Sequence, residues 1–405
     1  MNSSPLDDPL FGSQMLSNPY PVYAQLREEF PVRWHVGLNG WIVTRYQDVL
    51  SSLRDLRLSS DRAETMRTMA NSSDADLQDF FSLVADRMVF TDPPKHTRLR
   101  GLVHHVFLPG TIQGLRGTVE RLVDGFIEAG RRDGGFDVIR DLAFPLPSTV
   151  IATMLGLPVT DTPLLKRWSD DFTVFVGGSP GSVAADDYAR AVVSLREMTA
   201  YFTEILATYT AKPAENLICT MLAAERASKL SRPELIANIN MLLVAGHETT
   251  TNLIGNGSLA LLNHPHASSA LLSGQVAVER AVDEFLRFDS PLQFTHRVAR
   301  EPIDLGGQQI AAGDFVYLVI GSANRDPRQY AAPDELRLDR SPNKHLTFGI
   351  GWHACLGGPL ARLEAQVCFE RLAPILAAAQ RPTELRRLQN FNLRGLESLP
   401  LAFHA

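Results

Sequence analysis

Cysteine is scarce in this chain: three in 405 residues, at positions 219, 355 and 368. Three thiols cannot make a disulfide framework, and no C-x-x-C pair suggests zinc. Long apolar runs are missing as well; none approaches the roughly 18 residues that a membrane-spanning helix needs. Residues 1–21 are polar and dotted with proline, without the charged-then-apolar pattern of an export signal, so the expected compartment is the cytoplasm. Runs of basic residues are absent and the net charge is −6, which argues against a nucleic-acid partner. No linker-like stretch and no internal repeat divides the chain, so one domain spanning 1–405 is expected. What is present is ordinary globular material, 45% hydrophobic and 21% charged, long enough to bury a large core.

One cysteine stands out by its surroundings. Phe348-Gly349-Ile350-Gly351-Trp352-His353-Ala354-Cys355-Leu356-Gly357 is a loop punctuated by glycine. The apolar residues after it, from Leu360 and Leu363 to Val367, Phe369 and Leu372, predict a helix. A thiol at a helix start meets unpaired N–H groups and the positive end of the helix dipole, which favours its thiolate. The glycines let the backbone pass close to a flat ligand. A lone cysteine before a helix would otherwise be read as core packing, and Cys368, inside the helical stretch, is read that way.

This stretch resembles the FGxGxHxCxG haem-binding signature of the cytochrome P450 family, without a departure. The resemblance implies haem b with Cys355 as its thiolate ligand and sole metal contact from the protein. Such ligation favours O–O cleavage of bound dioxygen. It also implies that Phe348 shields the sulfur, that Gly349 shapes the loop and that His353 reaches a propionate. The implied fold is mainly α with small β-sheets, triangular and helix-rich. The haem would lie between the oxygen-activation helix and the helix after the cysteine.

Along the chain, Pro19 to Glu29 predicts a short helix. Residues 32–36 and 41–44 alternate like strands about Asn39-Gly40, a hairpin signal. Residues 62–90 are mixed. Thr91-Asp92-Pro93-Pro94 stops the chain before a helix over Lys95 to Phe107, where His96 and Arg100 share a face. Two such side chains suit a pair of propionates, and the Asp-Pro-Pro-x-His-x-x-x-Arg pattern is similar to the family's haem-contacting helix. Residues 112–225 read as helical, broken near Pro145 to Pro147, Gly177 to Ser182 and Ala211 to Glu215. The second break falls where the family places a mobile lid.

A longer helix is predicted from Pro233 to about Leu262, apolar on most sides and therefore buried. Ala245-Gly246-His247-Glu248-Thr249-Thr250 interrupts it with residues unfavourable in mid-helix. Such violations are expected at functional sites. Thr249 can bond its hydroxyl to the carbonyl of Ala245, and Gly246 leaves room for a ring, dioxygen or water. The segment resembles the family's oxygen-activation motif. That implies handling of activated oxygen by Thr249 and a proton relay through Glu248, with Ala245 and Gly246 against the cofactor.

Glu284 and Arg287, three apart on a helix from Val276 to Phe288, match the family's ExxR pair. This implies a buried structural ion pair. Arg297 falls at another propionate-binding position. The family's usual arginine–phenylalanine is replaced by Glu335-Leu336, which leaves Arg337 as the candidate third member of the Glu284–Arg287 network.

The resemblance thus implies a monooxygenase placing one oxygen atom from O2 into a lipophilic molecule, such as a terpenoid, steroid, fatty acid or polyketide. Electrons would come from NAD(P)H through a separate ferredoxin and reductase, docking near Lys344, Arg362 or Arg98. By family position, Val89, Met241, Val244, Gln293, Phe294, Asn392 and Leu393 would line the pocket. Oxidative coupling, ring closure, peroxide-driven turnover and non-catalytic haem sensing stand as alternatives.

Overall fold

The computed structural model describes residues 13–62, 78, 81, 84–132, 135–177 and 185–403. Tyr20, Val22, Tyr23 and Leu26 bury one side of α1, Tyr20–Glu29. The strands β1 (Val32–His35) and β2 (Gly40–Val43) pair antiparallel, as their alternation predicts. Their turn is not a two-residue Asn-Gly hairpin. Asn39 takes the left-handed φ of 45°, while Gly40 already pairs with His35 inside the ladder. A Cβ on Gly40 would stand 2.8 Å from Tyr317 and 2.9 Å from Phe315, so this glycine admits the neighbouring strand.

The remaining strands are short: β3 (Leu58–Ser59), β4 (Phe136–Asp137), β5 (Thr295–Ala299), β6 (Ile303–Leu305), β7 (Gln308–Ile310), β8 (Phe315–Leu318), β9 (Ala379–Gln380) and β10 (Pro400–Phe403). The largest sheet has the order β1-β2-β8-β5-β3, with β2 and β8 parallel and the other pairs antiparallel. Its apolar side chains, including Val43, Val316 and Leu318, form a core of their own.

Helices make the larger part. They include α2 (Lys95–Val103), α3 (Arg116–Arg132), α4 (Pro145–Leu155), α5 (Thr162–Gly177) and α6 (Ala185–Ala211). The others that bear on the site are α7 (Arg232–Asn263), α8 (Val278–Phe288) and α9 (Gly358–Ala378). The predicted helix over 95–107 tightens into a 3-10 turn at His104–Phe107. Pro145 does not break a helix but starts one, because its missing N–H would be unpaired in a first turn anyway. Of the expected lid, Gly177 ends α5, and 178–182 lie outside the described residues. No described helix is long and apolar enough to cross a membrane.

The axis of the fold is α7. Ser231 caps it, taking the Glu234 N–H and receiving the Glu234 carboxylate on its own N–H, a reciprocal box that satisfies two unpaired donors. Almost every side chain beyond the cap is buried, as apolar residues on all sides require. It packs on α4 and α9 within the main helical core.

Candidate active site

The cysteine loop closes on itself through backbone bonds. Leu346 accepts from Gly349 at 2.8 Å, Gly351 from Ala354 at 3.1 Å, and Phe348 from Cys355 at 2.7 Å. This path requires left-handed backbone at Gly349 (φ 61°) and Gly351 (φ 79°), which glycine alone adopts without strain. Phe348 sits beside the thiol with Arg362 4.5 Å above its ring.

Cys355 is an exposed residue, yet protein crowds its thiol. Burial pushes its thiol up; the Gly357 and Gly358 N–H groups, Arg100 and Arg362 act against that without overcoming it. The expectation that a helix start alone favours the thiolate is therefore corrected: here desolvation wins. A bound metal ion would remove the proton outright.

Beside the thiol lies a cluster of imidazole and guanidinium groups. The His96 and His353 rings stack with centroids 4.1 Å apart. Neither His96 Nδ1 nor His353 Nε2 has a hydrogen-bond partner, although both are buried. Burial, then His96, Arg297 and Arg62, hold the His353 imidazole down at about 3. Burial lowers Arg297 to about 10 and also lowers Arg100, with the Cys355 charge opposing it in Arg100. The nearby carboxylate, Asp92, is 4.0 Å from His353 but already accepts from Ser59, Ser60 and Arg300. An exposed cysteine beside orphaned donors fits an iron macrocycle carrying two carboxylates.

Opposite stands α7. Ala245 is exposed although the helix around it is buried, and Met241, Gly246, Glu248 and Thr249 are half-buried on or near that face. Two expectations are corrected here. Gly246 does not leave open space, since a Cβ there would lie 2.8 Å from Ile151; it lets α4 approach. Thr249 makes no bond to the Ala245 carbonyl, α7 runs unbroken, and among the described residues its hydroxyl is uncommitted. Thr250 is buried instead.

The Glu248 carboxylate lies 3.2 Å from His247 Nε2, in an off-axis contact. His247 Nδ1 is 2.9 Å from the Leu243 carbonyl, so that nitrogen carries a hydrogen. Burial raises Glu248, but His247 and Lys166 outweigh it and hold the carboxyl below its usual range. Lys166 on α5 is itself bonded to Asp170 at 2.6 Å.

Glu284 and Arg287 are fully buried and joined by two bonds, of 2.8 and 2.7 Å. The third side chain is Arg340, whose Nε lies 3.2 Å from both Glu284 oxygens. Arg337 contributes only its backbone N–H, at 2.9 Å, while its side chain turns outward toward Asp339. Arg287 also donates to the carbonyls of Asn324, Pro333 and Glu335. Asn324 in turn receives the Leu346 N–H and donates to Thr347, directly ahead of the cysteine loop.

The expected pocket residues divide. Phe294 is half-buried against Tyr317, Leu393 is buried beside it in the chain's closing turn, and Val89 is partly exposed between buried Met88 and Phe90. Val244 is packed into the main core. Two expectations fail. Gln293 turns inward to Tyr23 and Ser290, and Asn392 spends its side-chain oxygen on the Phe294 N–H. Among the docking cations, Arg98 is bound to Glu234 at 2.6 Å and Arg362 to Asp283 at 3.0 Å, while Lys344 is exposed. Sequence reasoning missed Arg62, in the unassigned 62–90 stretch. It also missed a role for His247, whose only signal was its place beside Glu248.

A family model described as cytochrome P450 matches residues 276–373, which hold Glu284, Arg287 and Cys355. The polyketide biosynthesis cytochrome P450 PksS of Bacillus subtilis is 36% identical over 96% of this chain and 97% of its own. The cytochrome P450 monooxygenase PikC of Streptomyces venezuelae is 37% identical over 98% of this chain and 94% of its own. The structure of P450BioI in complex with hexadec-9Z-enoic acid ligated acyl carrier protein matches with a TM-score of 0.90 at 35% identity. It covers 97% of this chain and 100% of that one. The mainly α architecture with small sheets is the one these proteins share. The chain belongs to the cytochrome P450 family and is a haem-thiolate monooxygenase.

Proposed function

We propose that Cys355 is the axial ligand, that His96, Arg100, Arg297 and His353 receive the propionates, and that Glu248 and Thr249 deliver protons to the oxygen site. The observation that carries this reading is the exposed Cys355 beside buried His96 and His353 nitrogens that lack partners. When bound, haem supplies the binding and reductive activation of dioxygen. The residues of the chain do the rest. The Thr249 hydroxyl, bonded to no carbonyl, is free to donate a proton at its Oγ1. Glu248, held below the usual carboxylate range beside His247 and Lys166, can replenish it from the Lys166 side. The apolar walls at Met241, Phe294 and Leu393 exclude water and accept a lipophilic substrate. A polyketide or fatty acyl substrate is in keeping with the polyketide pathway of PksS and the hexadecenoyl group bound by P450BioI, and a steroid with the vitamin D(3) 25-hydroxylase of Pseudonocardia autotrophica.

Electrons are proposed to arrive in the cytoplasm from a ferredoxin and its NAD(P)H-dependent reductase. A groove of about 520 Å³ lies between α2 and the cysteine loop, lined by Arg100, His104, His105 and the 53% exposed Trp352. Its hydrogen-bonding side chains and exposed indole suit a protein partner.

The test is the absorption spectrum of the reduced, carbon-monoxide-bound protein, followed by turnover under labelled dioxygen. A strongly red-shifted Soret band and one labelled atom in product are expected. An imidazole-type band in fresh protein would remove the thiolate assignment. Thr249→Ala should keep haem and oxygen binding but lower product per NAD(P)H on the order of tenfold or more, with the electrons appearing as peroxide. An unchanged yield would exclude the role given to Thr249.

A further inference from the structure

Arg87 is 2% exposed, yet among the described residues no carboxylate pairs with it. Its Nε and Nη2 are buried without any hydrogen-bond partner, and its guanidinium lies 4.1 Å from the centre of the Phe172 ring on α5. The adjacent Asp86 is already spent on Lys95, at 2.7 Å. Arg62 also has an orphaned Nε, but its Nη1 reaches the Ser60 and Val89 carbonyls, and it sits in the cluster at the thiol. Arg87 stands apart from that cluster, among Val84, Met88 and Phe172, all buried. Buried charges are ordinarily paired, and among the described residues none pairs with this one, so the guanidinium is placed to take an anion.

The backbone of Arg87 is fixed to the oxygen-site helix. Asn238 of α7 donates to the Asp86 carbonyl at 3.0 Å and accepts the Met88 N–H at 2.9 Å, clamping the residue on either side of Arg87. Asn238 precedes Ala245 by seven residues and Thr249 by eleven, spacings that return to the same helix face. At 1.5 Å per residue, Thr249 lies about 16 Å along the axis from this clamp. That is the reach of a chain of roughly ten to fourteen carbons, with C–C bonds of about 1.5 Å in zigzag.

We propose, building on the lipophilic-substrate reading above, that Arg87 binds the carboxylate of a long-chain acid and so fixes which carbon meets the oxygen site. None of the residues expected to line the pocket is an arginine; burial and the Asn238 clamp single this one out. One or two charge-assisted bonds replace none, while an ester of the same length leaves the guanidinium unpaired.

Calorimetric titration of the haem-loaded protein with dodecanoic and tetradecanoic acids and their methyl esters tests this. Wild type should bind each acid about tenfold or more tightly than its ester. Arg87→Leu should bring the two within about twofold with ester binding unchanged, and Arg87→Lys should keep part of the preference. No preference in wild type, or the same preference in Arg87→Leu, overturns the proposal. Product analysis of wild type needs no variant: oxygen should enter at a constant distance from the carboxylate as the acid lengthens, and a position that follows the methyl end overturns it equally. Failure of every acid and ester to bind would overturn the lipophilic-substrate reading itself, and this proposal with it.

Discussion

Glu248 is held between two opposing effects, burial and the neighbouring positive charge, and the second wins. Removing His247 leaves Lys166 alone against burial. His247→Leu should therefore raise the Glu248 carboxyl, and its protonation, followed by infrared difference titration, should move to higher pH. An unchanged titration would show that His247 does not set the Glu248 charge. At this scale the sequence offers candidates where a residue type has few chemical uses, as with Cys355 or the Glu248–Thr249 pair. It misleads where the neighbour is distant in sequence. Gly246 looks like empty space until Ile151 is placed beside it, and Arg337 looks equivalent to Arg340 until the loop is folded.

Among elements, the decisive connection runs from α8 to the cysteine loop through Glu284, Arg287, Arg340 and Asn324. Each bond in it holds a stretch with almost no regular structure. Arg340→Leu leaves part of the buried Glu284 charge uncompensated and should cost about 3–5 kcal/mol, with loss of haem from the purified protein. Arg337→Ala removes an exposed side chain and should stay within about 0.5 kcal/mol. Denaturant titration distinguishes them; equal costs would contradict the assignment of Arg340 as the third member. Helix positions were legible from their apolar residues, because most of α7 and α9 is buried. The start of α4 was not, since Pro145 signals a boundary without saying on which side the helix lies.

For the whole molecule, Asp289 at the end of α8 joins segments from both ends of the chain. It accepts from Tyr20 at 2.6 Å and from Arg394 at 2.6 Å, with Arg387 at 3.3 Å, and Arg394 also donates to the Leu16 and Ser17 carbonyls. Burial raises the Asp289 carboxyl, but Arg394, Arg387 and Tyr20 together hold it far below the carboxylate range. Because the folded value is the lower one, its contribution is complete above the unfolded value near 4 and is lost as pH falls from there toward the folded value. Asp289→Asn should thus lower stability at neutral pH and flatten the decline below about pH 4. Thermal unfolding across pH checks this, and parallel curves for the two proteins would exclude it.

The same closing segment is stitched to the turn before β5. Gln293 donates its N–H to the Asn392 carbonyl, Phe294 to the Asn392 side chain, Arg394 to the Pro291 carbonyl, and Leu292 bridges Leu393. On the pocket proposed above, this makes a frame with replaceable facings. Variant libraries aimed at new substrates can exchange Phe294 and Leu393 freely, provided that Asn392 and Gln293 stay fixed as the joinery that keeps both facings aligned.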